Sequence, residues 1–260
     1  MRVCALITLL VLAPSSVACG QGAGAIRVNQ LGYYPGAPKQ AAVLDRAETT
    51  FHVVSLDLRD TLFTGQLGPA ASWAYAREAV RLADFSAFDT PGTYRIAVPG
   101  VGASHRFEIR TNVHREVTRG TLKALYTARA SQALDAAYAG PWARAAGHPD
   151  TEVLIHPSAA SPGRPAGATI ASPGGWYDAG DYNKYVVPLA TSVAHLLNVV
   201  QQYPTYAATL TAGIPESGNA LPDVLDEAIV GIRWLLTMQD PYDGGVYHKL
   251  TTANFQGTIM

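Results

Sequence analysis

The sequence predicts a chain of two domains of different class, a small β-sandwich followed by a larger α-helical domain. Three observations carry this. Between Ile26 and Ile109 the apolar residues come in short runs broken by turn residues. From Thr111 onward they recur at the spacing of one helix face. The 260 residues, 48% of them hydrophobic, are enough to bury two cores.

The β-rich runs are Ile26–Val28, Ala41–Leu44, Phe51–Leu56, Thr61–Phe63, Val80–Leu82, Thr93–Val98 and Arg106–Ile109. In the sixth, Tyr94, Ile96 and Val98 alternate with Arg95 and Ala97, the pattern of a strand with one buried face. Asp89-Thr90-Pro91-Gly92 reads as a turn in which proline presets φ and glycine supplies a positive φ. About seven short strands at regular spacing suggest an immunoglobulin-like sandwich over residues 26–110. The cross-sheet disulfide of antibody domains is excluded, because both cysteines, Cys4 and Cys19, precede the first strand. No exposed row of aromatics is evident in these runs.

The boundary is expected at Arg110–Val113, with the helical domain over 111–260. Leu122, Leu125, Tyr126, Arg129 and Ala133 share one helical face, and Asn112 is a candidate cap. Residues 141–173 are rich in Pro, Gly, Ala and Ser. A loop that long is usually functional or disordered, and this one leads into the acidic segment described below, so it is read as a wall of the site. Its histidines, His148 and His156, are read as ordinary loop residues. Leu189, Val193, Leu196, Leu197 and Val200 form a second stripe, with Pro188 near the helix start. Leu221, Val224, Leu225, Ala228, Ile229, Ile232, Leu235 and Leu236 form a third, with Asn219 as candidate N-cap and Pro222 as its early proline. The acids of its first turns, Asp223, Asp226 and Glu227, suit the helix dipole and are expected to be structural. Trp234 is expected in the core. Asp240-Pro241-Tyr242-Asp243-Gly244-Gly245 ends this helix, and Val246–Leu250 follows as an extended piece.

Net charge is −1, from 19 basic and 20 acidic residues, which gives no reason to expect nucleic acid or an anionic membrane as partner. Met1-Arg2, an apolar run to Leu12 and small residues at Ser16-Val17-Ala18 and Ala23-Gly24-Ala25 read as a cleaved signal peptide over 1–25. The run is shorter than the roughly 20 residues of a membrane-spanning helix. The expected location is therefore secreted or periplasmic. Lipoprotein anchoring at Cys19 ranks second, because Ser16 stands where such signals usually carry Leu.

The richest stretch is Gly174-Gly175-Trp176-Tyr177-Asp178-Ala179-Gly180-Asp181-Tyr182-Asn183-Lys184-Tyr185. In a helical turn Asp178 and Asp181 would share a face. The glycines argue instead for an irregular backbone that another group approaches closely. In either case two carboxylates beside Trp176, Tyr177 and Tyr182 suit a sugar site: rings stack on the sugar faces and carboxylates accept protons from hydroxyls or water. An Asp-x-x-Asp pair is otherwise a capping or solvated feature, or part of a calcium site with backbone carbonyls. The density of aromatics and glycines in one window favours the sugar site. Tyr247, His248 and Lys249 are further candidates to reach sugar hydroxyls.

These residues resemble glycoside hydrolase family 9, the family of many cellulases. Ile26-Arg27-Val28-Asn29-Gln30-Leu31-Gly32-Tyr33 resembles the opening of the immunoglobulin-like domain that often precedes its catalytic domain. Gly174–Tyr185 resembles the family's Asp-Ala-Gly-Asp segment. Ile214–Asn219 and Leu221–Glu227 resemble the helix entry that follows, and Met238–Asp240 with Gly244–Lys249 the next loop. The resemblance implies a catalytic domain of twelve helices in six hairpins, an (α/α)6 toroid, and hydrolysis of β-1,4-glucosidic bonds with inversion. It places Asp181 as the catalytic base and Asp178 as the partner that holds the attacking water. Tyr182 stands where many members carry His. The resemblance implies no cofactor for the chemistry and allows a structural calcium ion, with ligands unassigned; the cysteines of zinc-binding members are missing.

The general acid should stand roughly 6.5–9.5 Å from the base, across the scissile bond. Asp178 and Asp181 are too close in sequence for that, and neither Glu216 nor Glu227 sits in a segment resembling the family's acid. With about three amphipathic helices against twelve, the sequence reads as the N-terminal piece of a longer enzyme, expected to be inactive alone. The alternatives are a non-catalytic carbohydrate-binding protein and an exo-acting glycosidase on amino-sugar oligosaccharides. The polysaccharide, endo or exo action and oligomeric state are left open.

Overall fold

A computed structural model describes residues 24–253, and these divide into two compact units between His114 and Arg115. The leader read over 1–25, with Cys19, lies outside the described residues except for Gly24 and Ala25.

The first unit is a sandwich of nine strands. One sheet runs β1 (Ile26–Arg27), β2 (Gln40–Leu44), β6 (Glu78–Asp84), β5 (Ala71–Trp73). The other runs β4 (Thr61–Gln66), β3 (Thr50–Val54), β7 (Gly92–Val98), β8 (Gly102–Ala103), with β9 (Phe107–Ile109) also pairing β7. All seven expected strands are present. The two additional ones, β5 and β8, are three and two residues long, too short to show alternation. The inward residues of the runs, among them Val43, Phe51, Val53, Ile96 and Phe107, form one core. Tyr33 crosses its end: the ring packs edge-on against Phe85 and Phe107, and the hydroxyl donates to the Gln40 carbonyl. Gly92 needs no positive φ, contrary to expectation; a Cβ there would lie 2.4 Å from the Tyr94 hydroxyl, so glycine is required for space. Trp73 and Tyr75 stand exposed beside the β5–β6 turn, a pair that the alternation did not reveal.

The second unit is helical. α1 (Arg115–Ala128), α3 (Val186–Gln202) and α5 (Asp223–Thr237) are the three expected helices. Two short ones, α2 (Ala136–Ala139) and α4 (Pro204–Thr209), accompany them. The long loop carries a two-stranded ribbon, β10 (Val153–Leu154) with β11 (Thr169–Ile170), and a second ribbon joins β12 (Lys184–Tyr185) to β13 (Lys249–Leu250).

Several local expectations are corrected. α1 begins at Arg115, so Asn112 lies ahead of it and accepts from Arg110 instead of capping. Ala133 and Leu197 are exposed: α1 ends before the first, and the second falls off the buried face of α3. The residue capping α5 is Pro222, without a side-chain bond. Asn219 accepts from the Leu221 amide and donates to Asp226 instead. The early acids of α5 are structural as expected. Asp223 accepts from the Ala212 amide and the Ser217 hydroxyl, and both Asp223 and Asp226 are buried.

α3 and α5 cross closely because Gly231 leaves room. A Cβ there would lie 2.6 Å from Val193 and 2.8 Å from the Trp176 ring. Trp176, Val193, Leu189, Trp234 and Met238 fill this crossing. Alanine in place of glycine on an open helix face stabilises by about 1 kcal/mol. Here Gly231→Ala is expected to destabilise the helical unit by about 1–3 kcal/mol through overpacking, read as a lower urea unfolding midpoint.

Candidate active site

The aspartate segment is an irregular loop, not a helical turn. Its entry is zipped to the end of α1: Ala130 N–H donates to the Gly175 carbonyl and Tyr177 N–H to that of Ala128, each at 2.9 Å. Gly174 and Gly175 both have positive φ, and a Cβ on Gly175 would lie 2.7 Å from the Trp234 ring, which is the close approach that the glycines predicted. The loop then closes on itself, because Asp178 N–H donates to the Asn183 carbonyl at 2.9 Å. Asp178 and Ala179 are exposed and Asp181 is half-buried.

Asn183 holds the Asp181 carboxylate. Its backbone N–H donates to Oδ1 at 3.2 Å and its side-chain Nδ2 to Oδ2 at 2.8 Å. Beneath it Lys184 is fully buried. Its Nζ donates to the carbonyls of Ser172 and Gly174, both at 2.9 Å, and pairs with Asp150 at 2.7 Å. Burial pushes the Lys184 ammonium down from its ordinary value, and Asp150 acts against that shift.

Trp176 is corrected from a sugar platform to a core residue. It is 5% exposed, and its Nε1 donates to Glu227 at 3.2 Å. The space at Gly231 and a buried acceptor give the indole an interior slot. The same carboxylate pairs with Arg129 at 2.7 Å, and Arg129 also grips both oxygens of Glu216. Burial pushes Glu227 above the ordinary glutamate value, with Arg129 opposing. For Glu216 burial acts upward, but the Arg129 hydrogen bonds win and hold it below that value.

Tyr177 and Tyr182 are brought together with a residue that the sequence reading set aside. The His148 ring stacks on Tyr182 with centroids 4.5 Å apart and lies edge-on to Tyr177, whose hydroxyl is 3.0 Å from Nδ1. Tyr182 is 38% exposed with φ +57°, so its ring is turned outward beside Asp181. Nothing in Gly147-His148-Pro149 marks this role. His156 is the ordinary loop residue expected, capping a single 3-10 turn at Pro157–Ala159. His248 is exposed and lies opposite Val186. The residue next to the aspartate turn is Thr252, whose N–H donates to Asn183 Oδ1 at 3.1 Å. At about 3.3 Å per residue, His248 is about 13 Å further along that segment.

Comparison with known proteins identifies the family. Residues 21–103 match the family model described as cellulase N-terminal ig-like domain. Residues 114–256, more than half of the chain, match glycosyl hydrolase family 9. The chain belongs to glycosyl hydrolase family 9. Among its family 9 relatives, the xyloglucan-specific endo-β-1,4-glucanase of Bacteroides ovatus is 45% identical over 235 residues, covering 90% of this chain and 40% of that protein. Endoglucanase D of Acetivibrio thermocellus is 34% identical over 240 residues, covering 90% and 36%. A solved family 9 structure from Bacteroides ovatus superposes with a TM-score of 0.82 at 45% identity, covering 90% of this chain and 42% of that one. The chain thus spans about 40% of the length of these relatives and comprises an immunoglobulin-like sandwich followed by the start of an (α/α)6 domain. Family 9 chemistry needs no cofactor. Among the described residues no three His, Cys, Asp or Glu side chains converge to hold a metal ion, and no helix is long and apolar enough to cross a membrane.

The Glu216 carboxyl generates a pH prediction. A value held below the ordinary 4.5 in the fold means that its stabilisation is present above 4.5 and is lost as the pH falls through the lowered value. Glu216→Gln is expected to lower Tm at pH 7, and the gap from wild type is expected to close as the pH is taken below 4.5, measured by thermal melts across pH 3–7.

Proposed function

We propose that this chain supplies the water-activating side of a β-1,4-glucan hydrolase, with Asp181 as general base. The observation that carries the reading is the Asp181 carboxylate, held by Asn183 in a half-buried position beside an outward-turned tyrosine. Hydrogen bonds to both oxygens fix its direction while leaving other lone pairs for a water molecule. Asp178, exposed at the other end of the closed loop, is the partner that orients this water. Water attacks the anomeric carbon from the face opposite the leaving oxygen, Asp181 takes its proton, and the configuration inverts. Tyr182 and Tyr177 provide the sugar contacts, and His148 steadies both rings. His248, opposite Val186, is assigned to a sugar further along the chain.

The general acid is neither Glu216 nor Glu227, because both are committed to Arg129 and Glu227 is wholly enclosed. The family resemblance implies a Glu near the far end of the catalytic domain as the acid. The substrate class is a β-1,4-linked glucan. The Bacteroides ovatus relative is named as xyloglucan-specific, which makes xyloglucan the first polymer to test. The leader of residues 1–25 supports export to where such polymers are met.

The deciding experiment uses the enzyme expressed from its complete reading frame, with soluble xyloglucan and carboxymethylcellulose. Asp181→Asn is expected to lower kcat by about 10²–10⁴-fold with little change in KM; wild-type kcat in that variant would remove Asp181 from the role. The 260-residue chain alone is expected to release no reducing sugar, and release that disappears in Asp181→Asn would refute the placement of the acid elsewhere.

A further inference from the structure

Asn183 is 2% exposed and reaches no solvent from which to bind a sugar, yet every polar group of its side chain is engaged at the site. Nδ2 donates to Asp181 Oδ2 at 2.8 Å, and Oδ1 accepts from the Thr252 N–H at 3.1 Å. This pair of bonds fixes which way the amide faces. A flipped amide would point its oxygen at a carboxylate and its NH₂ at an N–H. The backbone adds to the arrangement. Asn183 N–H donates to Asp181 Oδ1, and the Asn183 carbonyl accepts from Asp178 N–H, so one residue is bonded to both aspartates. Tyr182, between Asp181 and Asn183, takes φ +57°, an uncommon conformation for a bulky non-glycine residue, and that kink lets Asn183 turn back onto the carboxylate. Lys184, next in the chain and fully buried, anchors the arrangement from below.

We propose that Asn183 is the positioning residue for Asp181, a clamp whose amide is set by the segment after β13 and whose NH₂ sets the direction of the carboxylate towards water. The inference rests on Asp181 being the base. Activation of water requires the carboxylate to face the reacting atom, and a displacement of about 1 Å in such a group costs on the order of 100-fold in rate. Asn183 is buried behind the Asp181 carboxylate, so its contribution passes through Asp181.

The test uses two variants in the enzyme expressed from its complete reading frame, assayed on soluble xyloglucan. Asn183→Asp keeps the shape, the backbone donor and the acceptor for Thr252, and exchanges the NH₂ for an oxygen. Asn183→Ala removes the whole amide. Both are expected to lower kcat by about 10–100-fold, with KM within about threefold of wild type. Asn183→Asp sets an oxygen against the Asp181 carboxylate and is expected to lower the unfolding midpoint modestly, so Asn183→Ala, which brings in no second carboxylate, is the control for that repulsion. On an Asp181→Asn background, neither change is expected to lower kcat further, because the groups act as a unit. Three results overturn the proposal: wild-type kcat in Asn183→Asp, a loss that persists undiminished on the Asp181→Asn background, or a loss that appears only with a collapsed midpoint. If Asp181→Asn itself keeps wild-type kcat, it is the base assignment that fails, and the clamp goes with it.

Discussion

A guanidinium buried at the end of α1 is the interaction on which the helical unit depends. Arg129 is 2% exposed and is bonded to Glu227 of α5 and to Glu216 of the loop before that helix. Glu227 in turn accepts from Trp176, two residues before Asp178. One charged cluster therefore joins α1, α5 and the root of the aspartate loop. A buried ion pair is weak evidence for stability, because desolvation cancels much of the attraction. Its value here is geometric. The charges can be satisfied together in one arrangement, and that arrangement fixes the backbone on which the two aspartates stand. Arg144 completes the floor, donating to the Arg129 carbonyl at 2.6 Å with its guanidinium over the Tyr177 ring.

A second buried charge works from the other side. Lys184 lies over the Trp234 ring and ties down two carbonyls of the 172–174 segment, while Asp150 supplies the countercharge from the long loop. That loop is tied to the aspartate segment at two points. Its Gly147–Asp150 end carries both the histidine that stacks on Tyr182 and the carboxylate that neutralises Lys184. The ribbon of β10 and β11 gives the rest of the loop its own pairing.

What the sequence made legible follows from range. The seven strands and three long helices are written in periods of two and 3.6 residues, so their apolar faces appear from local pattern alone. The acids of α5 and Trp234 were readable as structure for the same reason. Trp176 was not. An indole next to two carboxylates has the composition of a sugar platform, and its burial is decided by Glu227 and Gly231, more than fifty residues downstream. His148 and Asp150 sit in a stretch without periodicity, where nothing local distinguishes a stacked histidine from a solvated one. Asn219 looked like an N-cap by type and place; its side chain was claimed by Leu221 and Asp226, and proline took the cap position. Local chemistry marked the candidate segment, whereas long-range packing decided which of its residues face outward.

That division has a chemical logic. The charged groups that carry structure, Arg129, Glu227 and Lys184, are enclosed and mutually satisfied. The two aspartates are held by the backbone and by Asn183, without a countercharge of their own among the described ion pairs. A base neutralised by a guanidinium would be a poor acceptor for a proton from water, since the pair favours the ionised carboxylate. Placing the cations one layer below, where they brace the loop through carbonyls and other acids, gives the loop rigidity without pairing either aspartate with a cation. Hydrogen bonds from an amide orient a carboxylate at less cost to its basicity than a bidentate arginine would. The difference between Glu216, gripped by Arg129, and Asp181, gripped by Asn183, is therefore the difference between an acid paired with a cation that holds the fold and one oriented by an amide alone.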